Sequence, residues 1–482
     1  MTREPAADTA LDLAIFKGTV ITMDEQRRVL RGGAVGVKEG RIAQVEADPA
    51  ALGPASETID ATGAIVLPGI VDTHGHAGHS LTRGLGEGRD DDGWMSTVER
   101  IYFHASDSWF WEAESRLAAL ERLRFGITTS VSMTGSSPRI DDPRYALAAS
   151  TGYQELGLRH IVAAGPPYGP WPRTYTEQHP GGTTAELLVD LNRALGVTEE
   201  MIQAFRDLGN ERIRFYVGPS VVAPSADPED EETRFQVRGV AKLVEQYTTG
   251  LHTHAFAGQI DAAYAIAPEL LGPHACIAHC AGISLEEVAI LARTGASASS
   301  GPLTHAYVSA RFPVIEALDA GVNVVFSTDG SAPDRSFDLI DQARIGVQLQ
   351  RVHFNDSRLL PAGKALEMIT IDAARALGMQ DEVGSLETGK RADIILLDAR
   401  QPHLAPEILA PLRVIGHATG HDVTTVIVDG TVLMRDRRYT TADQAAILAD
   451  AHNALMATWE RTGFGDINAQ HPNTWRHVRY NG

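Results

Sequence analysis

The stretch Leu67-Pro-Gly-Ile-Val-Asp-Thr-His-Gly-His76 decides the fold, because an apolar run ends there in two histidines one residue apart. Residues two apart on a strand point to the same face, so the imidazoles of His74 and His76 are able to reach one ion. Taken alone, such a pair is equally compatible with two hydrogen-bonded structural histidines. What lies further along the sequence decides between these interpretations.

Short apolar runs alternate with helical patterns through the middle of the sequence, which is typical of a parallel sheet covered by helices. Eight runs are candidate strands, the number that closes a (β/α)₈ barrel of the TIM type. These runs are Ile65–His74, Ile127–Met133, His160–Gly165, Ile213–Gly218, Gly250–Phe256, Cys276–Cys280, Ala296–Ser299 and Val322–Thr328. The sequence therefore predicts an α/β fold built on such a barrel.

Chemically capable side chains recur where the predicted strands end. The fifth strand carries His252 and His254, the sixth carries His279, and the eighth is followed by Asp329. In a barrel of this kind, the active site lies at the carboxyl ends of the strands. Together with the histidine pair on the first strand, four strand ends supply imidazole and carboxylate groups. We therefore expect a metal site.

The two ends of the sequence are rich in short β-type runs, and we expect them to form one small β-sandwich. The predicted domains are residues 1–69 for its first part, 70–387 for the barrel and 388–440 for its second part. Residues 441–482 are predicted to form a helical tail.

The composition is that of a globular protein, and we expect its partner to be a small-molecule substrate. The protein has 482 residues, and 42 Lys and Arg against 62 Asp and Glu give a net charge of −20. This acidic balance argues against nucleic acid and anionic membranes as partners. No apolar run has the length of a membrane span, and the first residues lack a signal-peptide pattern. We expect a cytoplasmic protein.

The order of the motifs resembles the amidohydrolase superfamily, in particular the branch of cytosine and guanine deaminases and triazine hydrolases. The resemblance extends from about residue 12 to 435 and includes Leu81-Thr-Arg83-Gly-Leu and Trp94 after the first strand. The motifs that carry it are Pro68–His76, Gly126–Thr129, His252–His254, His279, Ser327–Gly330 and Gly384–Asp398.

The resemblance implies that one divalent metal ion is held by four ligands, namely His74, His76, His254 and Asp329. His279 would sit beside the ion, next to the hydrolytic water or the substrate. Two-metal members carry a bridging lysine on strand four, where this sequence reads Phe215-Tyr-Val-Gly-Pro-Ser, so we expect a mononuclear site. Zn²⁺ suits this ligand set, with Fe²⁺, Mn²⁺ and Co²⁺ as alternatives. A homo-oligomer is the family expectation.

The same resemblance implies a mechanism in which the metal activates a water and Asp329 takes its proton. Deaminases of this branch continue the fifth-strand motif as HxHxxE, and the glutamate protonates a ring nitrogen. Here Ala257 stands in that place. We therefore expect hydrolysis of a non-peptide C–N bond of amide, urea or carbamate type. Deamination of a purine, pyrimidine or triazine-like ring is the second hypothesis, and a catalytically silent binding protein is the third.

Further residues on the predicted loops at this end of the barrel are candidates for substrate binding, because such loops carry specificity. For each of them, a solvated loop position or a structural hydrogen bond is an equal alternative. The candidates are His79, Arg83, Trp94, Tyr168, Gln259, His305 and Ser331.

Overall fold

The computed structural model describes residues 10–87, 89, 91–135, 138–306, 310–469, 471 and 474–475. The strands are β1 (Leu11–Ile21), β2 (Val29–Lys38), β3 (Arg41–Glu46), β4 (Ala55–Asp60), β5 (Ala64–Pro68), β6 (Ile70–Asp72), β7 (Ile127–Met133), β8 (Arg159–Ala164), β9 (Arg173–Gln178), β10 (Thr184–Val189), β11 (Ile213–Val217), β12 (Leu251–Phe256), β13 (Ala275–Ala281), β14 (Ser297–Ser300), β15 (Val324–Phe326), β16 (Ile394–Asp398), β17 (Val423–Val428), β18 (Thr431–Arg435) and β19 (Arg438–Tyr439).

The helices are α1 (His79–Thr82), α2 (Asp91–Glu99), α3 (Ser108–Arg124), α4 (Pro143–Ala148), α5 (Thr151–Leu156), α6 (Leu191–Asp207), α7 (Glu231–Tyr247), α8 (Gln259–Ile266), α9 (Leu285–Thr294), α10 (Val314–Asp319), α11 (Leu339–Phe354), α12 (Ala362–Glu367), α13 (Ile371–Ala376), α14 (Ala410–His417) and α15 (Gln444–Thr462). A π-helical turn spans Arg100–Ala105. Short 3₁₀ turns span Pro49–Ala51, Pro268–Leu270, Pro302–Ala306, Pro402–Leu404 and Gly420–Asp422.

The parallel sheet confirms the predicted barrel. Within the described residues its strands follow the order β6-β7-β8-β11-β12-β13-β14-β15, and each lies within or overlaps one of the eight predicted runs. Just beyond the first and last strands, Gly75 and Asp329 form a parallel bridge that brings the two edges together. Helices separate most of these strands along the sequence, as a (β/α)₈ barrel requires.

The first predicted strand, Ile65–His74, is wrong in its extent. It is divided into β5, which belongs to the other large sheet, and β6, which begins the barrel. Gly69 lies at the division, and a Cβ on Gly69 would lie 2.0 Å from Oγ1 of Thr128. The close approach of these two segments is possible because residue 69 has no side chain.

Compactness divides the protein into two units. One comprises residues 1–72, 122–129 and 338–441, and the other comprises residues 73–121, 130–337 and 442–482. The predicted domain boundaries rest on sequence pattern, a different criterion, and stay predictions.

The first unit contains the sheet built from both ends of the sequence, as predicted. Its strands follow the order β19-β18-β17-β16-β5-β1-β2-β3, and β4 pairs with β1. The antiparallel pairing of β5 with β16, in which Pro68 lies opposite Ile394, joins the amino-terminal and carboxyl-terminal strands. Apolar side chains such as Ile15, Val35 and Ile427 are wholly buried in its core.

The second unit contains every member of the metal centre described below, and also α15. The Ala-rich run after residue 440 forms this helix. Arg461 of α15 donates hydrogen bonds to Oδ2 of Asp107 at 2.7 Å and to the carbonyl of Ala105 at 2.9 Å. Within the described part of the protein, no helix combines the length and apolarity of a membrane span.

Candidate metal centre

Four histidines converge at the carboxyl ends of the barrel strands. The ligand atoms that His74, His76, His254 and His279 offer all lie within 4.8 Å of one another. Oδ1 of Asp329 lies 3.1 Å from Nε2 of His74 and 3.0 Å from Nε2 of His76. All five side chains are buried. The structure therefore brings together every residue to which the sequence assigned a metal-binding or catalytic role.

The imidazoles of three histidines are oriented by hydrogen bonds at Nδ1. Nδ1 of His76 donates to the carbonyl of Gly135 at 2.9 Å, and Nδ1 of His254 donates to the carbonyl of Ser220 at 2.5 Å. A carbonyl only accepts, so in the neutral imidazoles these contacts leave the lone pair on Nε2. Nδ1 of His74 lies 2.8 Å from Nε2 of His252. A hydrogen bond on the far ring nitrogen is the usual support of a metal-binding histidine.

A β-bulge places His279. The pairing of β12 with β13 runs from Ala255 opposite His279 directly to Phe256 opposite Ala281, so Cys280 is an extra residue. His279 and Cys280 both have positive φ, at 63° and 46°. Bulges of this kind redirect side chains beside active sites. As a result, the ring of His279 stacks on that of His254 with their centroids 4.8 Å apart.

Asp329 has its two carboxylate oxygens in different surroundings. Thr304 donates a hydrogen bond to Oδ2 at 2.7 Å, and Nη2 of Arg335 lies 3.1 Å from the same oxygen. Oδ1 is left facing the histidines. Burial by itself would raise the pKa of this carboxyl, but the guanidinium of Arg335 holds the pKa well below its usual value. Asp329 is therefore an anion.

The donor set fits a divalent cation. Nε2 of His74, Nε2 of His254 and Oδ1 of Asp329 are buried and form no hydrogen bond within the described part of the protein. In a neutral His76, the lone pair on Nε2 faces an anionic oxygen at 3.0 Å. That contact is repulsive unless a cation lies beside both atoms. Burial lowers the pKa of His74 and His254 well below the usual value, which keeps these imidazoles in the neutral form that binds metals.

Three of the predicted substrate-binding residues are buried, and one of them, His79, packs directly on the cluster. His79 is buried and stacks on His76, with ring centroids 4.8 Å apart, and Trp94 packs edge-on against His79 at 5.7 Å. Gly330 permits this arrangement, because a Cβ there would lie 2.0 Å from Nδ1 of His79. Ser331 is buried, and its Oγ lies 3.4 Å from Oγ of Ser80.

The remaining candidates have other contacts. Arg83 is exposed, and its guanidinium forms an ion pair with Glu121 at 2.5 Å. Oε1 of Gln259 accepts the backbone N–H of Phe256 at 2.9 Å, so this amide stabilises the turn before α8. Tyr168 is half-buried on the loop after β8. The side chain of His305 lies outside the described residues. The roles of all these candidates in substrate binding stay predictions.

The sequence assigned no role to three contributors to the centre, namely His252, Thr304 and Arg335, although it placed His252 on the fifth strand. His252 lies two residues before His254 and therefore points to the same side of β12, which is a pattern that would have revealed it. Thr304 and Arg335 lie on loops after β14 and β15, and no spacing rule connects either of them to Asp329.

A barrel with imidazoles and a carboxylate at its strand ends defines a metal-dependent hydrolase. The model of the amidohydrolase family matches residues 65–433. A 5-methylthioadenosine/S-adenosylhomocysteine deaminase of Desulforudis audaxviator is 32% identical over 440 residues, covering 87% of this chain and 93% of the relative. A 5'-deoxyadenosine deaminase of Methanococcoides burtonii is 29% identical, covering 92% of this chain and 97% of the relative.

Solved structures agree in fold. An adenosine deaminase of Xanthomonas campestris with bound zinc superposes with a TM-score of 0.79 at 23% identity, covering 94% of this chain and 99% of that one. The atrazine chlorohydrolase of Arthrobacter aurescens complexed with zinc gives a TM-score of 0.76 at 25% identity, covering 92% of this chain and 100% of that one. The protein belongs to the amidohydrolase family, and its reaction is metal-dependent hydrolysis of a C–N bond.

Proposed function

We propose that the protein hydrolyses a non-peptide C–N bond in an acyclic amide, urea or carbamate. The observation that carries this proposal is Ala257, which stands where the resemblance to deaminases of this branch places the glutamate of the HxHxxE motif. Ala257 is exposed on the turn between β12 and α8. A methyl group transfers no proton, and the amide of the nearby Gln259 is engaged with the backbone of Phe256.

A bound divalent ion supplies a Lewis acid that makes water nucleophilic at neutral pH. His74, His76, His254 and Asp329 would hold this ion. As the water oxygen attacks the substrate carbon, Oδ1 of Asp329 takes the proton, since Oδ2 is held by Thr304 and Arg335. Asp329 then passes the proton to the leaving nitrogen as the C–N bond breaks. His279 is placed to donate a hydrogen bond to the substrate oxygen, where negative charge develops.

An acyclic C–N bond needs only this single proton transfer from water to the leaving amine. Besides the amine, an amide gives a carboxylic acid, a urea gives a carbamic acid and a carbamate gives a carbonic acid half-ester, so no further acid is required. An aromatic amidine is different, because water adds to the ring efficiently only when a ring nitrogen is protonated. The residues of the metal centre therefore match the acyclic substrate.

A ring aminohydrolase is the second candidate, and the names of the relatives favour it. Both curated relatives described above are deaminases of adenosine-type compounds. For this reaction a side chain other than residue 257 would have to protonate the ring. The predicted substrate-binding residue His79, which stacks on His76, is one buried group beside the cluster.

The experiment is a nitrogen-release assay of the zinc-loaded protein. Its panel contains an anilide, an aryl urea, an aryl carbamate, an aminotriazine and an adenosine-type nucleoside. We expect an organic amine from an acyclic compound and no ammonia from the rings. The reverse result, with ring ammonia as the faster product, would establish the second candidate.

Two variants at residue 257 sharpen the assay. Ala257→Glu restores the acid, and Ala257→Gln is a control of the same size without a transferable proton. We expect Ala257→Glu not to accelerate hydrolysis of the acyclic substrates. A gain of tenfold or more in that reaction, absent from Ala257→Gln, would show that the proposed proton path is wrong.

The identity and number of the metal ions, the oligomeric state and the location of the protein are part of this proposal. We propose a mononuclear zinc site, supported by the zinc in the Arthrobacter aurescens relative and by the absence of lysine from β11. Metal analysis of the purified protein should give one zinc per subunit. We also propose a cytoplasmic homo-oligomer that binds a small-molecule substrate, and light scattering of the protein in solution tests the oligomer. A monomer, or two metals per subunit, would contradict the respective statement.

A further inference from the structure

A carboxylate has two equivalent oxygens, and its terminal torsion is broad. Contacts with neighbouring side chains must therefore fix the orientation of the Asp329 carboxylate relative to the histidines. Oδ2 is hydrogen-bonded to Thr304 at 2.7 Å and paired with Nη2 of Arg335 at 3.1 Å. Both partners are buried, as is Asp329 itself. These two contacts leave Oδ1 as the oxygen next to Nε2 of His74 and His76.

The guanidinium of Arg335 is itself fixed by the loop that carries it. Nε donates to the carbonyl of Gly330 at 3.0 Å, and Nη2 donates to the carbonyl of Ala332 at 2.5 Å. The guanidinium of Arg335 therefore holds the loop from Gly330 to Arg335 through two of its own carbonyl groups. The same guanidinium contacts Asp329, which directly precedes this loop. A planar guanidinium with several donors can make these contacts at once, whereas a lysine ammonium cannot match that geometry.

We propose that Arg335 is a positioning residue for the catalytic carboxylate of Asp329. Together with Thr304, Arg335 holds Oδ2, so that only Oδ1 binds the metal and takes the proton of the water. Thr304 lies in the 3₁₀ turn after β14, and Asp329 and Arg335 follow β15. The contacts of Thr304 and Arg335 with Oδ2 therefore connect the ends of the seventh and eighth barrel strands. The proposal concerns the site and does not depend on which substrate is correct.

The test follows metal binding directly and needs no substrate. The protein is loaded with Co²⁺, and its d–d absorption spectrum reports ligand geometry, while competition with a chelator gives the affinity. Arg335→Met keeps an unbranched apolar side chain that replaces the arginine stem, but removes the guanidinium with its charge and donors. We expect a changed spectrum and an affinity about 10- to 100-fold lower, the range for residues that orient metal ligands. Arg335→Lys restores the charge alone, and we expect it to recover only part of the loss.

Two further variants separate positioning from stability. Arg139 forms a buried ion pair with Asp141, with Nε 2.8 Å from Oδ1, in the same compact unit. Arg139→Met should therefore lower the melting temperature and leave the Co²⁺ spectrum unchanged. Thr304→Val is nearly isosteric and removes only one hydrogen bond from Oδ2, so it decides the question if Arg335→Met does not fold.

A wild-type spectrum and affinity in folded Arg335→Met, or in Thr304→Val when the other variant fails to fold, would overturn the proposal. A change of both properties in these variants, and in neither property of Arg139→Met, would establish it. If the substrate panel fails while the spectra change as expected, the proposed function is wrong and the positioning role stands.

Discussion

The contact between His74 and His252 leads to a quantitative prediction. Nε2 of His252 lies 2.8 Å from Nδ1 of His74, and both side chains are completely buried. When Nε2 of His74 binds a metal, its Nδ1 carries the proton and donates a hydrogen bond to Nε2 of His252. His252→Ala leaves this N–H buried without its acceptor, which costs about 1–3 kcal/mol. Since about 1.4 kcal/mol corresponds to a factor of ten, the zinc affinity should fall by roughly 10- to 100-fold.

The affinity is measured by chelator competition at pH 7.5, and the melting temperature is recorded with and without zinc. His252→Gln offers an amide oxygen as acceptor and should recover part of the affinity. His160 gives a matched control, because it is also buried and its Nδ1 lies 2.8 Å from Oγ of Ser130. His160→Ala should reduce stability and leave zinc affinity unchanged. If folded His252→Ala binds zinc within twofold of the wild type, the orienting role of His252 is refuted.

Two other perturbations test the same centre. Asp329→Asn should retain the fold and lose turnover by about 10²- to 10⁴-fold, because the amide accepts no proton from water; steady-state rates near the wild-type value would exclude Asp329 as the base. Burial lowers the pKa of His74, His79 and His254, so below about pH 6.5 the unfolded protein binds more protons than the native protein. The free energy of unfolding of the metal-free protein, from urea titrations, should therefore decrease from pH 7 to pH 5, and His79→Gln should flatten the profile. An equal slope in the variant and the wild type would contradict this assignment.

The convergence of the histidines was predictable because two periodic rules act together. Alternation along a strand places His74 and His76 on one side, and the barrel brings the carboxyl ends of all strands to one end. Neither rule needs knowledge of loops. The same rules also apply to His252, which the sequence reasoning placed on the fifth strand but to which it gave no role.

The division of the first strand follows from a local packing constraint. A continuous apolar run from Ile65 to His74 gives no indication of where one sheet ends and the next begins. The observed division lies at Gly69, where Thr128 approaches too closely for any side chain. Such an approach involves a residue distant in the sequence, and periodicity within one segment cannot reveal it.

The loop residues show more clearly that contacts between residues distant in the sequence cannot be predicted from sequence pattern. Gln259 and Arg83 have the chemistry of substrate-binding groups, but the first stabilises a turn and the second pairs with Glu121. Conversely, Arg335 is one of many arginines in the sequence, and its importance arises only because its loop folds back onto Asp329. Residue type is visible in a sequence, whereas the partner that engages each polar group depends on tertiary structure.

The backbone at the metal centre explains why the side chains meet where they do. His279, Cys280 and Asp329 have positive φ, a conformation that costs of order 1–3 kcal/mol for each residue other than glycine. An extended backbone at His279 would follow the alternation of β13 without the bulge that turns its ring onto His254. At Asp329, the strained residue also forms the bridge to Gly75, and its N–H donates to the carbonyl of His74 at 3.0 Å. The rest of the fold must offset this strain. Substitution of glycine at either position would relieve it only by removing the side chain that the strain directs toward the centre.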